Sequence, residues 1–97
     1  MIQKELKIIN KLGLHARAAA KLASTANHFG CEIRTAIIDP SRADTPNKLV
    51  DAKSVMALML LAASQGVVLY FEFDGDDEHR ADEGITALIA ARFDESE

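Results

Sequence analysis

His15 and Arg17 stand two positions apart in the stretch Gly13-Leu14-His15-Ala16-Arg17, where a strand-like pattern gives way to an alanine-rich helical one. The first turn of a helix leaves backbone N–H groups without intrahelical acceptors. Together with the helix dipole they make an anion site that suits phosphate. The amides of Ala16, Arg17 and Ala18 fall in that turn and form the expected phosphate cradle. The positive helix end disfavours imidazolium, so a neutral ring is expected. A neutral imidazole keeps a nitrogen lone pair with which to attack phosphorus. Arg17 can offer its planar fork to a phosphoryl oxygen, and Gly13 relaxes the backbone where the chain turns. Histidine is not among the usual N-cap residues, so capping preference does not account for it. Spacing alone leaves a plainer reading open, a surface histidine at a loop end and an ordinary helix charge.

Ser54 is the second residue of interest. It precedes the apolar run Val55 to Ala63 and reads first as an N-cap. That run is apolar all round and cannot be buried all round in so small a protein, so one side is expected to form an exposed patch. Methionine suits a surface that must fit several partners, and Val55, Met56 and Met59 are assigned to docking, with core packing the alternative for Met59. His28 and His79 have no partners at metal-ligand spacing, so no metal and no cofactor are called for. Cys31 reads as a small buried strand residue. Asp76, Asp77, Glu78, Asp82 and Glu83 read as a solvated helix face, and the tail Asp94-Glu95-Ser96-Glu97 as frayed.

The elements that position these residues alternate between two periods. Ile2 to Ile9 has a rough period of two, a half-buried strand. Ala16 to Phe29 carries a helical stripe of Ala19, Leu22, Ala23, Ala26 and Phe29, with Gly30 expected as the left-handed residue that ends it. Cys31 to Ile38 is a second strand, and Lys48 to Ala52 a short one pairing back onto it. Between them, Asp39 to Asn47 holds both prolines and several turn residues, an exposed loop. Ser54 to Ala63 is a second helix, Val67 to Asp74 the most regular strand, and Ala81, Ile85, Leu88, Ile89 and Phe93 mark a third helix. The order is β-α-β-β-α-β-α. It predicts an α+β open-faced sandwich, a four-stranded antiparallel sheet with three helices on one face, over a single domain of residues 1–97.

Composition narrows the function. The 97 residues are 48% hydrophobic and 27% charged, which excludes a mainly disordered chain. The net charge of −4 argues against nucleic acid or an anionic membrane as the main partner. The longest apolar run, Val55 to Ala63, is too short to span a bilayer, which needs roughly 20 residues. There is no signal-peptide pattern. With a single cysteine that cannot form an internal disulfide, the default compartment is the cytoplasm.

Residues 10–22, Asn10-Lys11-Leu12-Gly13-Leu14-His15-Ala16-Arg17-Ala18-Ala19-Ala20-Lys21-Leu22, closely resemble the active-site segment of the HPr family, the histidine-containing phosphocarriers of the bacterial phosphoenolpyruvate-dependent phosphotransferase system. Asp51-Ala52-Lys53-Ser54-Val55-Met56 resembles the second signature of that family, and the similarity covers nearly the whole chain. The resemblance implies a monomeric carrier rather than a free-standing enzyme. It implies that enzyme I phosphorylates His15 on Nδ1, with Arg17 assisting, and that the group passes on to a IIA protein or domain. It also implies that Ser54 is a target of a dedicated HPr kinase/phosphorylase in hosts that have one. The alternatives are a regulatory interaction protein of the nitrogen-related HPr branch and, less supported, a small-molecule binding module. Two departures stand out. The family usually has proline where this chain has Ala18, which is expected to have a modest effect. The family also joins its second and third strands by a tight turn, where this chain has a longer loop at about 39–48.

Overall fold

Alternating side chains, not hydrophobic mass, set the layers of this fold. A computed structural model describes residues 1–38 and 48–96, so the predicted loop at about 39–48 falls almost wholly outside the described residues. The elements are β1 (Ile2–Lys7), α1 (Ala16–Ala26), β2 (Glu32–Ile37), β3 (Val50–Asp51), α2 (Val55–Leu60), β4 (Val68–Asp74) and α3 (Glu78–Ala90), closed by a 3₁₀ turn at Arg92–Asp94. The strands pair antiparallel in the order β1-β4-β2-β3. This is the predicted four-stranded α+β architecture with three helices.

β4 runs between β1 and β2 and fixes the register. Ile2 faces Phe73 and Leu6 faces Leu69 across one ladder, and Ile33 faces Phe73 across the other. Period two therefore sends Leu69, Phe71 and Phe73 to the same side, where all three are fully buried. The rings of Phe71 and Phe73 stack with centroids 5.8 Å apart. Against them α1 lays Ala18, Ala19, Leu22, Ala23 and Ala26, and α3 lays Ala81, Ile85 and Ile89. The small residues of α1 let it pack closely beside α2 and α3, while alanine itself favours the helix.

Several element ends differ from expectation. α1 stops at Ala26, and Asn27 caps it in right-handed conformation with its Nδ2 donating to the Ala23 carbonyl at 2.8 Å. Gly30 is not among the glycines in left-handed conformation, so it is not the residue that ends the helix. Asp77 is not simply solvated. It is the N-cap of α3, and its carboxylate accepts from the amides of Gly30 at 2.8 Å and Cys31 at 2.9 Å, tying the start of α3 to the start of β2. α3 ends at Ala90, so Phe93 reaches the core from the 3₁₀ turn and not from the helix. Among the described residues no helix is long and apolar enough to cross a membrane.

Candidate functional site

The loop from β1 to α1 is anchored at almost every step before it reaches the imidazole. Gly66 N donates to Ile8 O at 2.7 Å, Gly13 N to Asn10 O at 3.2 Å, and Leu14 N to Ala63 O at 2.8 Å. Gly13 adopts φ +69°, and a Cβ there would lie 2.6 Å from the Ala63 carbonyl oxygen. Glycine is thus required twice over, for its left-handed backbone and for its close approach to the end of α2. Leu14 follows, 4% exposed, and pins the chain. His15 is then presented as the N-cap of α1 with extended backbone, φ −76° and ψ −178°.

The ring performs the capping itself. Nδ1 accepts from the Arg17 amide at 3.3 Å, and the first intrahelical bond closes from Ala19 N to His15 O at 2.8 Å. Capping preference did not account for a histidine here, yet its ring takes the capping role. An imidazole nitrogen takes the place of a serine or aspartate oxygen. The acceptor role places a lone pair on Nδ1, beside the helix-opening amides of residues 16–18. At 3.3 Å the contact is long, and the amide is readily given up to a better acceptor. Ala18 stands where proline was expected, and α1 begins at Ala16 regardless, with Ala18 fully buried.

The second ring nitrogen has a partner that the sequence did not suggest. Nε2 of His15 bonds to Oε2 of Glu95, and Oε1 of the same carboxylate accepts from Nδ2 of Asn10 at 2.9 Å. Asn10 is fully buried, and its Nδ2 also donates to the Gly13 carbonyl at 2.8 Å. The hydrogen bonds from Asn10 and then from His15 hold the Glu95 carboxyl below its usual range. The tail is thus not frayed at Glu95. Its anchor is Phe93, fully buried, whose carbonyl accepts from Lys21 Nζ on α1 at 2.8 Å. Phe93, read from the sequence as part of the third helix, is the signal that the residues after it are held: a large aromatic residue next to a polar terminus.

Arg17 is exposed at the first turn of α1 and contributes a positive field at Glu95. Arg17 and Glu95 line a groove of about 530 Å³ together with Lys11, Leu12, Lys21 and Asp94. Three cationic side chains against two acidic ones make it suited to an anionic group, with room left for a partner's side chains.

α2 presents the other expected surface. Ser54 is its N-cap, its Oγ accepting from the Ala57 amide at 3.2 Å. Leu58 points inward and is fully buried, whereas Val55 is 38% exposed, Met56 74% and Met59 44%. Met59 is therefore a surface residue and not core. Leu60 on the same helix, at 82%, and Leu12 in the groove beside Arg17, at 68%, are also exposed and were not singled out from the sequence. The helix is shorter than expected. It ends at Leu60, and Ala62 turns left-handed with φ +52°, which brings Ala63 under the Gly13 loop.

The remaining candidates lie elsewhere. Cys31 is buried, and its thiol is pushed up to about 11, by burial first and then by Asp77, so it is held as an unreactive thiol. His28 and His79 are exposed, and among the described residues no group of His, Cys, Asp and Glu could hold a metal.

Comparison with known proteins places the chain. Residues 2–91 match the family model described as the PTS HPr component phosphorylation site. The chain is 45% identical over 95 residues to the phosphocarrier protein HPr of Xylella fastidiosa, covering 98% of both chains. It is 37% identical over 95 residues to the phosphocarrier protein NPr of Shewanella violacea, covering 98% of this chain and 96% of that one. Among solved structures it superimposes on HPr-C-His from Thermoanaerobacter tengcongensis with a TM-score of 0.85 and 38% identity, covering all of both chains.

Proposed function

The chain belongs to the HPr family of phosphocarriers of the phosphotransferase system, and from that premise we propose that Nδ1 of His15 is the atom that carries the phosphoryl group. The observation that carries this reading is the N-cap geometry. Nδ1 has its lone pair directed at the opening amide of α1. A phosphoryl group bound there would displace that weak acceptor and offer its own oxygens to the amides of Ala16, Arg17 and Ala18. The Arg17 guanidinium, at the edge of the cationic groove, takes a further oxygen.

As a member of this family the protein works with phosphotransferase-system enzymes. In finer detail, we read enzyme I, charged from phosphoenolpyruvate, as the donor and a IIA protein or domain as the recipient, in the cytoplasm, with the chain acting as a monomer. On this reading it is a substrate of those partners, not an enzyme. The exposed apolar residues of α2, Val55, Met56, Met59 and Leu60, form the docking face. Ser54 sits at the edge of that face, so phosphorylation by an HPr kinase/phosphorylase would add negative charge to the docking face and change partner choice. The weaker similarity to the nitrogen-related relative favours the HPr reading over the purely regulatory one.

The test is incubation with enzyme I and phosphoenolpyruvate. An acid-labile, base-stable phosphoryl group should appear on the wild-type chain and be absent from His15→Ala. A His15→Ala protein that still accepts phosphate from enzyme I would place the site elsewhere.

A further inference from the structure

We propose that Glu95 is a positioning residue for phosphoryl transfer, held in register by the buried Asn10 amide, so that the chain Asn10–Glu95–His15 fixes which ring nitrogen faces the incoming phosphorus. The proposal rests on the assignment of His15 as the acceptor and adds the means by which the ring is prepared.

The chain of hydrogen bonds permits one assignment of protons. Asn10 Nδ2 has two neighbours, the Gly13 carbonyl at 2.8 Å and Glu95 Oε1 at 2.9 Å, and both are acceptors. Its amide therefore lies with nitrogen toward the site. An ionised carboxylate only accepts, so the proton between Glu95 Oε2 and His15 belongs to Nε2. Nδ1 is left with its lone pair, on the side where the Arg17 amide meets it. A carboxylate is the group that suits this place, since it has one oxygen for each of two donors. A glutamine has a single acceptor oxygen and could satisfy only one of them.

The chemistry follows from that arrangement. In acceptance, the Nδ1 lone pair forms the N–P bond while the donor's bond to phosphorus breaks and leaves its electron pair on the donor. No proton leaves Nε2, so the ring becomes cationic as the bond forms. Glu95 stands against that developing charge. On the outward transfer the N–P electron pair returns to Nδ1, and Glu95 again holds the Nε2 proton in place. Histidines elsewhere are oriented by a carboxylate on the second ring nitrogen in the same way. The backbone that delivers Glu95 supports a specific role. Arg92, Phe93 and Asp94 all adopt left-handed conformations, with φ +56°, +54° and +63°. This costly arrangement is held by the burial of Phe93 and by the Lys21 bond to its carbonyl.

The experiment uses the full chain as Glu95→Gln, Glu95→Ala and Glu95→Asp, with enzyme I and phosphoenolpyruvate in quenched-flow mixing, and ¹⁵N resonances of the His15 ring recorded on each. The wild-type ring should be in the Nε2–H form. In the Gln and Ala variants the tautomers should mix, and the maximal acceptance rate should fall by about tenfold to a hundredfold, with the half-saturating carrier concentration unchanged. Asp should restore part of the rate. Wild-type rates in the Gln and Ala variants would overturn the proposal, as would a loss seen only in half-saturation with the ring tautomer unaltered. Those outcomes leave the assignment of His15 intact. A wild-type chain that takes up no phosphate, or a His15→Ala chain that does, removes that assignment and this proposal with it.

Discussion

Two segments distant in sequence meet at the His15 ring, and they reach it by opposite backbone means. The Gly13 loop turns with a glycine in left-handed conformation, the residue type for which that conformation costs least. The C-terminal turn makes three consecutive left-handed residues, none of them glycine, at about 1–2 kcal/mol each for an ordinary L-residue. The first segment is held by backbone hydrogen bonds to Asn10 and Ala63 and by the buried Leu14. The second has one buried side chain, Phe93, with Lys21 on its carbonyl, and is otherwise held by its own turn bonds and by the contacts of Glu95 with Asn10 and His15. The loop that presents the nucleophile is thus relaxed and tied through its backbone, and the turn that presents its partner is strained and has a single apolar anchor. A rigid acceptor with a separately anchored orienting group is one way to keep a phosphoryl group stable enough to travel without trapping it.

Removing the apolar anchor gives the largest effect. Phe93→Ala should destabilise the fold by about 3–5 kcal/mol, as for other fully buried phenylalanines. It should also free Glu95 from the ring, so that a still-folded Phe93→Ala protein transfers phosphate like Glu95→Ala. Chemical denaturation and transfer kinetics on the same sample check both. If the transfer rate stays at the wild-type value while stability falls, the turn does not hold Glu95 through Phe93. On the other segment, Gly13→Ala adds a left-handed alanine and drives a Cβ to within 2.6 Å of the Ala63 oxygen and 2.8 Å of Ser64 Cα, both backbone atoms that cannot swing aside. The expected cost is about 2–4 kcal/mol, with slower phosphate acceptance as the histidine shifts. A neutral result would mean that the loop has more slack than its hydrogen bonds suggest.

What could be read in advance divides along the same line. The Gly13 loop was legible because its signals are local: a glycine at the turn, a histidine at the cap, and an apolar stripe beginning four residues later, at Ala19. The sheet was legible from the alternation of Val67 to Asp74, which β4 reproduces almost residue for residue. Glu95 was not, because its meaning lies in a contact across 80 positions with His15, and an acidic terminus by itself reads as solvated. Gly30 misled for a related reason. A glycine after a helical stripe is a common stop, but Asn27 had already turned its side chain back to the Ala23 carbonyl and closed the helix three residues earlier. α2 fell short of its apolar run because Ala62 and Ala63 are used for the turn under Gly13, a tertiary demand that overrides their helix preference.

The smallest expected effect sharpens the comparison most directly, because it asks whether the strain in the turn is real. Arg92 is exposed and its side chain has no hydrogen bond or ion pair to another described residue, while its carbonyl still accepts from the Glu95 amide at 2.9 Å. Arg92→Gly therefore changes the backbone alone. It relieves about 1–2 kcal/mol of left-handed cost and adds about 0.4–1 kcal/mol of unfolded-chain entropy. The net is a stabilisation of about 0.5 kcal/mol, a rise of roughly 2–4 °C in Tm for a domain of this size. Transfer kinetics should not change, since Glu95, Asn10 and His15 keep their bonds. Glycine at 92 would then act as glycine at 13 already does. A fall in Tm instead would show that the three left-handed residues are held without strain, and the two segments would differ only in what anchors them.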